Sequence, residues 1–308
     1  MQRYFGIINQ TNIDLARDEL ISLFKTAGAR LTRCEPNELI VTAEITGEPN
    51  SISRRAAFTK YFAKQLDEDL YNQLKGKTFR CIPYTGIKDL KFQNIVEKIK
   101  KNGQAKVCLN NPDFVIIFYS SLNLAGILLN LPKNNWDKIA LTKRLFFHPS
   151  SLDPKYCRCM VNLACAKMGE TLLDPFCGSG GILTEARDSG LKTIGIDIKE
   201  RMCKGARLNG LSDVICANAF DLPVILSHVQ VIVTDIPYGQ STHISNGWSP
   251  KRILSELILS AGKSCKKSVI MCRLNELEEI PELTGNWRIY KIRRHKSLTR
   301  CIICKTDA

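Results

Sequence analysis

The strongest constraint on this chain lies at its C-terminal end, where two strand-like runs, Trp287–Arg293 and Leu298–Lys305, are separated only by Arg294-His-Lys-Ser297. A connection that short cannot carry a parallel crossover, so the two runs must pair antiparallel. Upstream, β-rich runs alternate with helical patterns. Strands are expected at Thr171–Leu173, Lys192–Asp197, Val214–Ala217, Val229–Thr234 and Ser268–Cys272, with helices at Leu152–Lys167, Gly181–Asp188, Lys199–Leu208 and Pro250–Cys265. Alternation of this kind builds a doubly wound parallel sheet. The expected fold class is therefore α/β: an open, mostly parallel seven-stranded sheet that ends in an antiparallel strand.

The first part of the chain reads differently, as an α+β unit. Arg3–Asn9 alternates like a strand, and Ile13–Ala27 places Leu15, Leu20, Leu23 and Phe24 at helical spacing before the stop at Gly28. Short strands follow around Leu31 and over Leu39–Ile45. Ser51 to about Leu74 reads as helix-rich. A strand at Thr78–Ile82, a basic helix at Leu90–Lys101 and an apolar hairpin over Asp113–Asn130 complete this part, and Pro132-Lys-Asn-Asn-Trp136 reads as a connector.

The 308 residues carry a formal charge of +14, unevenly spread. Between Tyr71 and Lys106, the basic residues Lys75, Lys77, Arg80, Lys88, Lys91, Lys98, Lys100, Lys101 and Lys106 face only Asp89 and Glu97. A second cluster near the end includes Lys291, Arg293, Arg294, Lys296 and Arg300. Basic runs are often only solvated faces. Two separate clusters, on a chain that also carries the Asp235-Ile-Pro-Tyr238 segment, point instead to a polyanionic partner. Thirteen cysteines without framework spacing argue for reduced thiols. Cys301-Ile-Ile-Cys304 lacks the second pair that a structural zinc site needs, so no metal is expected. With no secretory leader pattern, and with Phe114–Leu131 broken by Ser120, Ser121, Asn123, Gly126 and Asn130, the expectation is a cytoplasmic protein without a membrane span.

Two segments carry chemistry. Asp174-Pro-Phe-Cys-Gly-Ser-Gly-Gly181 closes the first strand of the sheet and opens a helix. Gly178 and Gly180 allow the turn and a close backbone approach. Leu183 stands where a dinucleotide fingerprint has its third glycine. Asp197 ends the next strand, where an acid can take ribose hydroxyls, although capping the following helix is the plain alternative. Asn218, after the third strand, is either a partner for an adenine edge or a turn residue. The second segment is Asp235-Ile-Pro-Tyr238. An exocyclic amine is a poor nucleophile because its lone pair is delocalised into the ring. Accepting hydrogen bonds from both its hydrogens favours a pyramidal nitrogen. Asp235 supplies one acceptor, the Ile236 carbonyl a second, Pro237 stiffens the turn and Tyr238 stacks on the base. If the loop around His148 and Ser151 folds over the glycine turn, both residues reach the methionine end of a cofactor.

These residues, with Phe146-Phe-His-Pro-Ser150 upstream and Ile182-Leu-Thr-Glu185 downstream of the glycine turn, resemble the archaeal tRNA guanosine methyltransferases that modify guanosine 10. The resemblance is looser over the first 140 residues, where it rests on Asn111-Pro-Asp-Phe-Val115 and the order of elements. It implies a Rossmann-like methyltransferase domain at 151–308, a linker at 133–150, a ferredoxin-like part at 1–50 and a THUMP-type tRNA-binding domain at 51–132. It also implies S-adenosylmethionine as cofactor, held by His148, Ser151, Asp174, Phe176, Gly178, Gly180, Asp197, Asn218 and Asp235. The partners it implies are tRNA and a small zinc-binding activator subunit. Ile236 departs from the family's usual Asp-Pro-Pro-Tyr, which loosens the turn without removing the backbone acceptor. Methylation of guanosine 6, methylation of an adenine amine in RNA or DNA, and a non-catalytic RNA-binding role are the alternatives.

Overall fold

The computed structural model of the chain describes residues 1–36, 38–46, 49–129, 144–221, 229–237, 248–264, 267–278, 280, 283, 287–295 and 298–305. It divides into two compact units, Met1–Arg54 with Phe58–Lys133 and Arg55–Ala57 with Asn134–Ala308.

The first unit is built on β1 (Gln2–Ile8), α1 (Ile13–Thr26), β2 (Arg30–Cys34), β3 (Ile40–Ile45), α2 (Asn50–Arg55), β4 (Thr59–Gln65), α3 (Glu68–Gln73), β5 (Thr78–Pro83), α4 (Leu90–Asn102), β6 (Lys106–Val107), β7 (Phe114–Tyr119) and β8 (Leu124–Leu128). Its strands form one eight-stranded sheet in the order β2-β3-β1-β4-β8-β7-β5-β6. Side-chain caps start the helices: Asn12 accepts from the Leu15 amide at α1, and Asp89 from the Phe92 amide at α4. The helix-rich reading of Ser51–Leu74 is corrected by β4. Thr59, Tyr61 and Phe62 favour a pleated surface, and β4 lies between β1 and β8, antiparallel to both. Phe62 and Ala63 are fully buried there.

The second unit contains α5 (Pro154–Leu163), β9 (Thr171–Asp174), α6 (Gly181–Asp188), β10 (Lys192–Asp197), α7 (Glu200–Leu208), β11 (Val214–Cys216), β12 (Val231–Asp235), a helix at Pro250–Ser264, β13 (Lys267–Arg273), a short helix at Leu274–Leu277, β14 (Arg288–His295) and β15 (Leu298–Lys305). The sheet order is β11-β10-β9-β12-β13-β15-β14. Strands β9 to β13 run parallel, and β15 enters antiparallel between β13 and β14. Strand β14 runs on to His295, so two residues rather than four separate it from β15, and the two strands pair antiparallel as expected. Helix α5 starts two residues later than expected. Asp153 caps it by accepting from the Lys155 amide, and Pro154 occupies the first turn, where no amide partner is needed. Strands near the middle of the sheet are apolar on both faces: Val231, Ile232, Val233, Val269 and Ile270 are all buried.

Candidate active site

Parallel strands all deliver their C-terminal ends to one edge of a sheet, and ligands of such sheets bind there, at the point where strand order reverses. Here that point lies between β9 and β10 on one side and β12 on the other. Their last residues are Asp174, Asp197 and Asp235. All three carboxylates line one cleft of ≈ 360 Å³, within the range of small-ligand sites.

The glycine turn forms one wall. Gly178 has φ +53°, with no atom within 4 Å of where a β-carbon would stand, and it lines the cleft. Gly180 has φ +82°, but a β-carbon added there would overlap Leu211 Cδ1. That residue is needed for packing, and it is not among those lining the cleft. The Gly178 amide donates to Asp197 Oδ2 at 2.9 Å, and the Lys199 amide to Asp197 Oδ1 at 2.8 Å. Asp197 therefore braces both the turn and the start of α7, while each oxygen keeps a further acceptor position for a diol. Burial raises its pKa above the ordinary value, against the pull of these two amides.

Asp174 is 2% exposed. Its Oδ1 accepts from the Thr234 hydroxyl at 2.6 Å and from the Phe176 amide at 3.2 Å. Burial dominates these bonds and pushes its pKa up to about 7, with Asp235 and Asp197 adding in the same direction. The three acids share the cleft with Lys199, Arg273 and Arg300, so it suits a ligand that carries both positive and negative groups.

The segment ahead of α5 is pinned across the turn. Asn209 accepts from the Phe146 amide and donates to the Phe146 and Ser179 carbonyls, each at 3.0 Å. Ser151 and Ser179 hydroxyls meet at 2.9 Å, and His148 Nδ1 meets the Ser150 hydroxyl at 2.6 Å. His148 and Ser151 thus both reach the cleft. Asn218 lines it too, with its side chain bonded to the Phe220 amide and to Asp221.

Phe176, Asp235, Ile236 and Pro237 complete the expected residues in the cleft; Tyr238 lies outside the described residues. The sequence reading missed the aromatic ladder. Phe176 and Phe220 have ring centroids 6.0 Å apart, Phe220 stacks on Trp248 at 4.6 Å, and the Arg252 guanidinium lies 4.3 Å from the Trp248 ring. It also missed Arg273 and Arg300, which line the cleft beside Asp235. The position of Phe220 right behind Asn218 was the available signal for the ladder. Of the expected RNA-contacting residues, Lys75, Lys77, Arg80, Lys88, Lys91, Lys98, Lys100, Lys101 and Lys106 are exposed on the first unit, and Lys100 is paired with Glu97 at 2.8 Å. Arg293 is exposed on the second unit, whereas the Arg294 side chain and Lys296 lie outside the described residues.

Among the described residues there is no cluster of metal-ligating side chains, and no helix is long and apolar enough to cross a membrane.

The reversed strand between the fifth and last positions, the glycine turn after the first strand and the acid at the tip of the second define a Rossmann-like methyltransferase domain. Comparison places it further: a family model described as RMKL-like, methyltransferase domain, matches residues 142–300, more than half of the chain, and the chain belongs to that family. A second model, DNA methylase, matches residues 73–208, a span that stops before Asp235. The tRNA (guanine(10)-N2)-dimethyltransferase of Methanothermobacter thermautotrophicus is 37% identical over 218 residues, covering 66% of this chain and 64% of its own. The enzyme of the same name from Methanocaldococcus jannaschii is 35% identical, covering 66% and 61%. The match thus spans under two thirds of either relative. The crystal structure of TrmN from Thermus thermophilus aligns over 99% of this chain and 100% of its own, at 17% identity and a TM-score of 0.48.

Proposed function

We propose that the chain methylates the exocyclic 2-amino group of a guanosine in tRNA, at guanosine 10, using S-adenosylmethionine. The observation that carries this reading is the acid and backbone acceptor at the end of β12, Asp235 and Ile236, set in the same cleft as the glycine turn, Asp174 and Asp197. The two relatives bear the names of guanine(10)-N2 enzymes, which supports the position and leaves one or two methyl additions as the outcome.

The residues fit the cofactor. Its ribose diol suits Asp197, its ammonium and sulfonium suit the three carboxylates, and the open face of Gly178 admits its amino-acid end. When bound, it supplies an electrophilic methyl group on sulfur. Asp235 accepts one hydrogen of the guanine amine, and the Ile236 carbonyl accepts the other. Pro237 keeps these two acceptors in fixed relation. Held pyramidal by these two acceptors, the nitrogen would present its lone pair to the methyl group, which would leave the cofactor's sulfur as a neutral thioether, and the Asp235 carboxylate would take up the proton that the methylated amine loses. Tyr238 stacks the base, which must leave its helix to reach a cleft of this kind.

The exposed lysines of the first unit, together with Arg293, Arg294 and Lys296, are the proposed tRNA contacts, and the stretch 51–132 acts as a THUMP-type docking domain after a ferredoxin-like part at 1–50. A cytoplasmic location and a small zinc-binding activator subunit belong to the same reading. The test is transfer of labelled methyl groups to unmodified tRNA, with and without the activator, followed by nucleoside analysis. Wild-type protein is expected to make N2-methylguanosine and Asp235→Ala to make none. Methyladenosine, or no product under either condition, rejects the reading.

A further inference from the structure

Strand β15 runs antiparallel beside β13, and the register sets Arg300 opposite Arg273 and Ile302 opposite Met271. Met271 in turn stands beside Asp235 across the β12–β13 pair. The reversed strand therefore delivers an arginine to the tip of β12. Arg300 Nη1 lies 3.3 Å from Asp235 Oδ2 and 3.5 Å from Met271 Sδ, and both charged side chains are 16% exposed. A pair so little exposed is only weakly screened by solvent.

We propose that Arg300 is a positioning residue for the acceptor carboxylate: by holding Asp235 through Oδ2 it fixes the plane of the carboxylate relative to the amine and keeps it ionised. This rests on the reading of Asp235 given above. The need for such a partner follows from the surroundings. Around Asp235 are Asp174 at the end of β9, Cys157 on α5, Cys272 and Arg273 on β13, Glu276 on the short helix, and Arg300. Asp197 lines the same cleft. Lys199 lines the cleft as well, and Arg300, in contact with Oδ2, offsets the acids that would favour a protonated carboxyl. A protonated Asp235 loses acceptor capacity and offers a donor to an amine that is itself a donor.

The experiment compares Arg300→Gln and Arg300→Lys with wild type in two readouts. The first is the pH profile of kcat for tRNA methylation, with KM for the cofactor. The second, independent of turnover, is the titration of the Asp235 carboxyl carbon by NMR of protein carrying ¹³C-labelled aspartate, with Asp235→Asn identifying the resonance. For Arg300→Gln, kcat is expected to fall ~10–100-fold, as misplacement of a reacting group does, with the cofactor KM little changed. The acid limb should move up by about one to three units, the effect of losing an opposite charge at this distance. Arg300→Lys restores the acid limb but only part of kcat, because it keeps the charge and loses the planar fork. Wild-type kcat and acid limb in Arg300→Gln overturn the proposal and leave the function standing. If wild type does not methylate tRNA, the function fails, and the titration decides alone. An Asp235 resonance that titrates higher in Arg300→Gln supports the proposal, and an unmoved one overturns it. Where Arg300→Gln does not fold, as judged by circular dichroism, Arg300→Lys carries the test: wild-type kcat in that variant overturns the proposal.

Discussion

The Thr234 hydroxyl donates a 2.6 Å hydrogen bond to Oδ1 of Asp174, joining the tips of two neighbouring strands whose residues are sixty positions apart in sequence. Strand β12 brings Thr234 and Asp235 to the cleft as consecutive residues. Thr234 turns inward, fully buried, to hold the acid of the glycine turn, while Asp235 lines the cleft. One strand end thus serves both proposed halves of the site, the cofactor side and the amine side.

Because burial raises the Asp174 pKa to about 7 from the ordinary 3.8, the protein without ligand should be sensitive to pH. The folded state holds this proton more tightly than the unfolded chain. The stability that Asp174 contributes is therefore complete below about pH 4 and is lost as pH rises through about 7. The loss is at most on the order of 4 kcal/mol. Urea unfolding of Asp174→Asn should show a flatter pH dependence and a higher midpoint than wild type at pH 8. The sign reverses for binding, since an ionised Asp174 pairs with an ammonium. Calorimetric affinity for S-adenosylmethionine should rise from pH 6 to pH 8 in wild type and not in Asp174→Asn.

The two glycines of the turn should fail in different ways. Gly180→Ala forces a β-carbon into Leu211 Cδ1 in a left-handed backbone, so it should cost about 1–3 kcal/mol of stability. Gly178→Ala meets no neighbour within 4 Å. Its fold should suffer only the left-handed strain, about 1 kcal/mol, while the added methyl group projects where a ligand must approach. Melting temperature and cofactor affinity, measured on both variants, separate the two. A Gly178→Ala protein with unaltered cofactor affinity would show that the turn does not touch the ligand.

What could be read in the sequence was whatever depends on local order. Strand and helix periodicity, the short β14–β15 connection and the positions of Asp174, Asp197 and Asp235 all follow from neighbours in the chain. Strand β4 escapes such a reading because its pattern is ambiguous alone and is settled by pairing with β1 and β8. Spacing also cannot tell that Gly180 is the glycine of the turn that packs against Leu211. For Asp197 the sequence offers a choice between cap and ligand, whereas its two oxygens brace two amides and still face the cleft. Arg300 falls among surface charges in the sequence. Only the register of β15 against β13, and of β13 against β12, brings it to Asp235.

Docking of tRNA by the basic first unit should depend steeply on salt, since each phosphate neutralised releases counterions. Lys91, Lys98 and Lys101 are exposed on α4, the helix on which Lys100 is tied to Glu97. Replacing all three with Gln should weaken binding and lower the log–log salt slope by roughly 0.7–0.9 for each phosphate no longer neutralised. Filter binding across a salt series measures both. A slope unchanged by the triple substitution would take α4 out of the docking surface.

Beneath the glycine turn, α5 and α6 are joined by a charge pair with little access to water. Arg158 Nε and Nη2 both reach Glu185 Oε2 at 2.6 Å, with side chains 12% and 3% exposed. Burial still raises the Glu185 pKa, more than Arg158 lowers it. Removing the arginine leaves a buried carboxylate without its hydrogen-bonded cation, with the weaker pull of Arg144 remaining, and breaking a buried pair in this way typically costs about 3–5 kcal/mol. Arg158→Leu should therefore destabilise strongly at pH 8 and less at pH 5, where Glu185 takes a proton and no charge is left unpaired. The double variant Arg158→Leu/Glu185→Gln should recover much of the loss and show little of this pH dependence. Urea midpoints for the three proteins at both pH values test this. A single-variant deficit equal at pH 5 and pH 8 would mean that lost packing of the arginine stem, rather than a stranded charge, explains the damage. The distinction bears on the site, because α6 begins at Gly181, and any movement of its first turn moves the wall of the cleft.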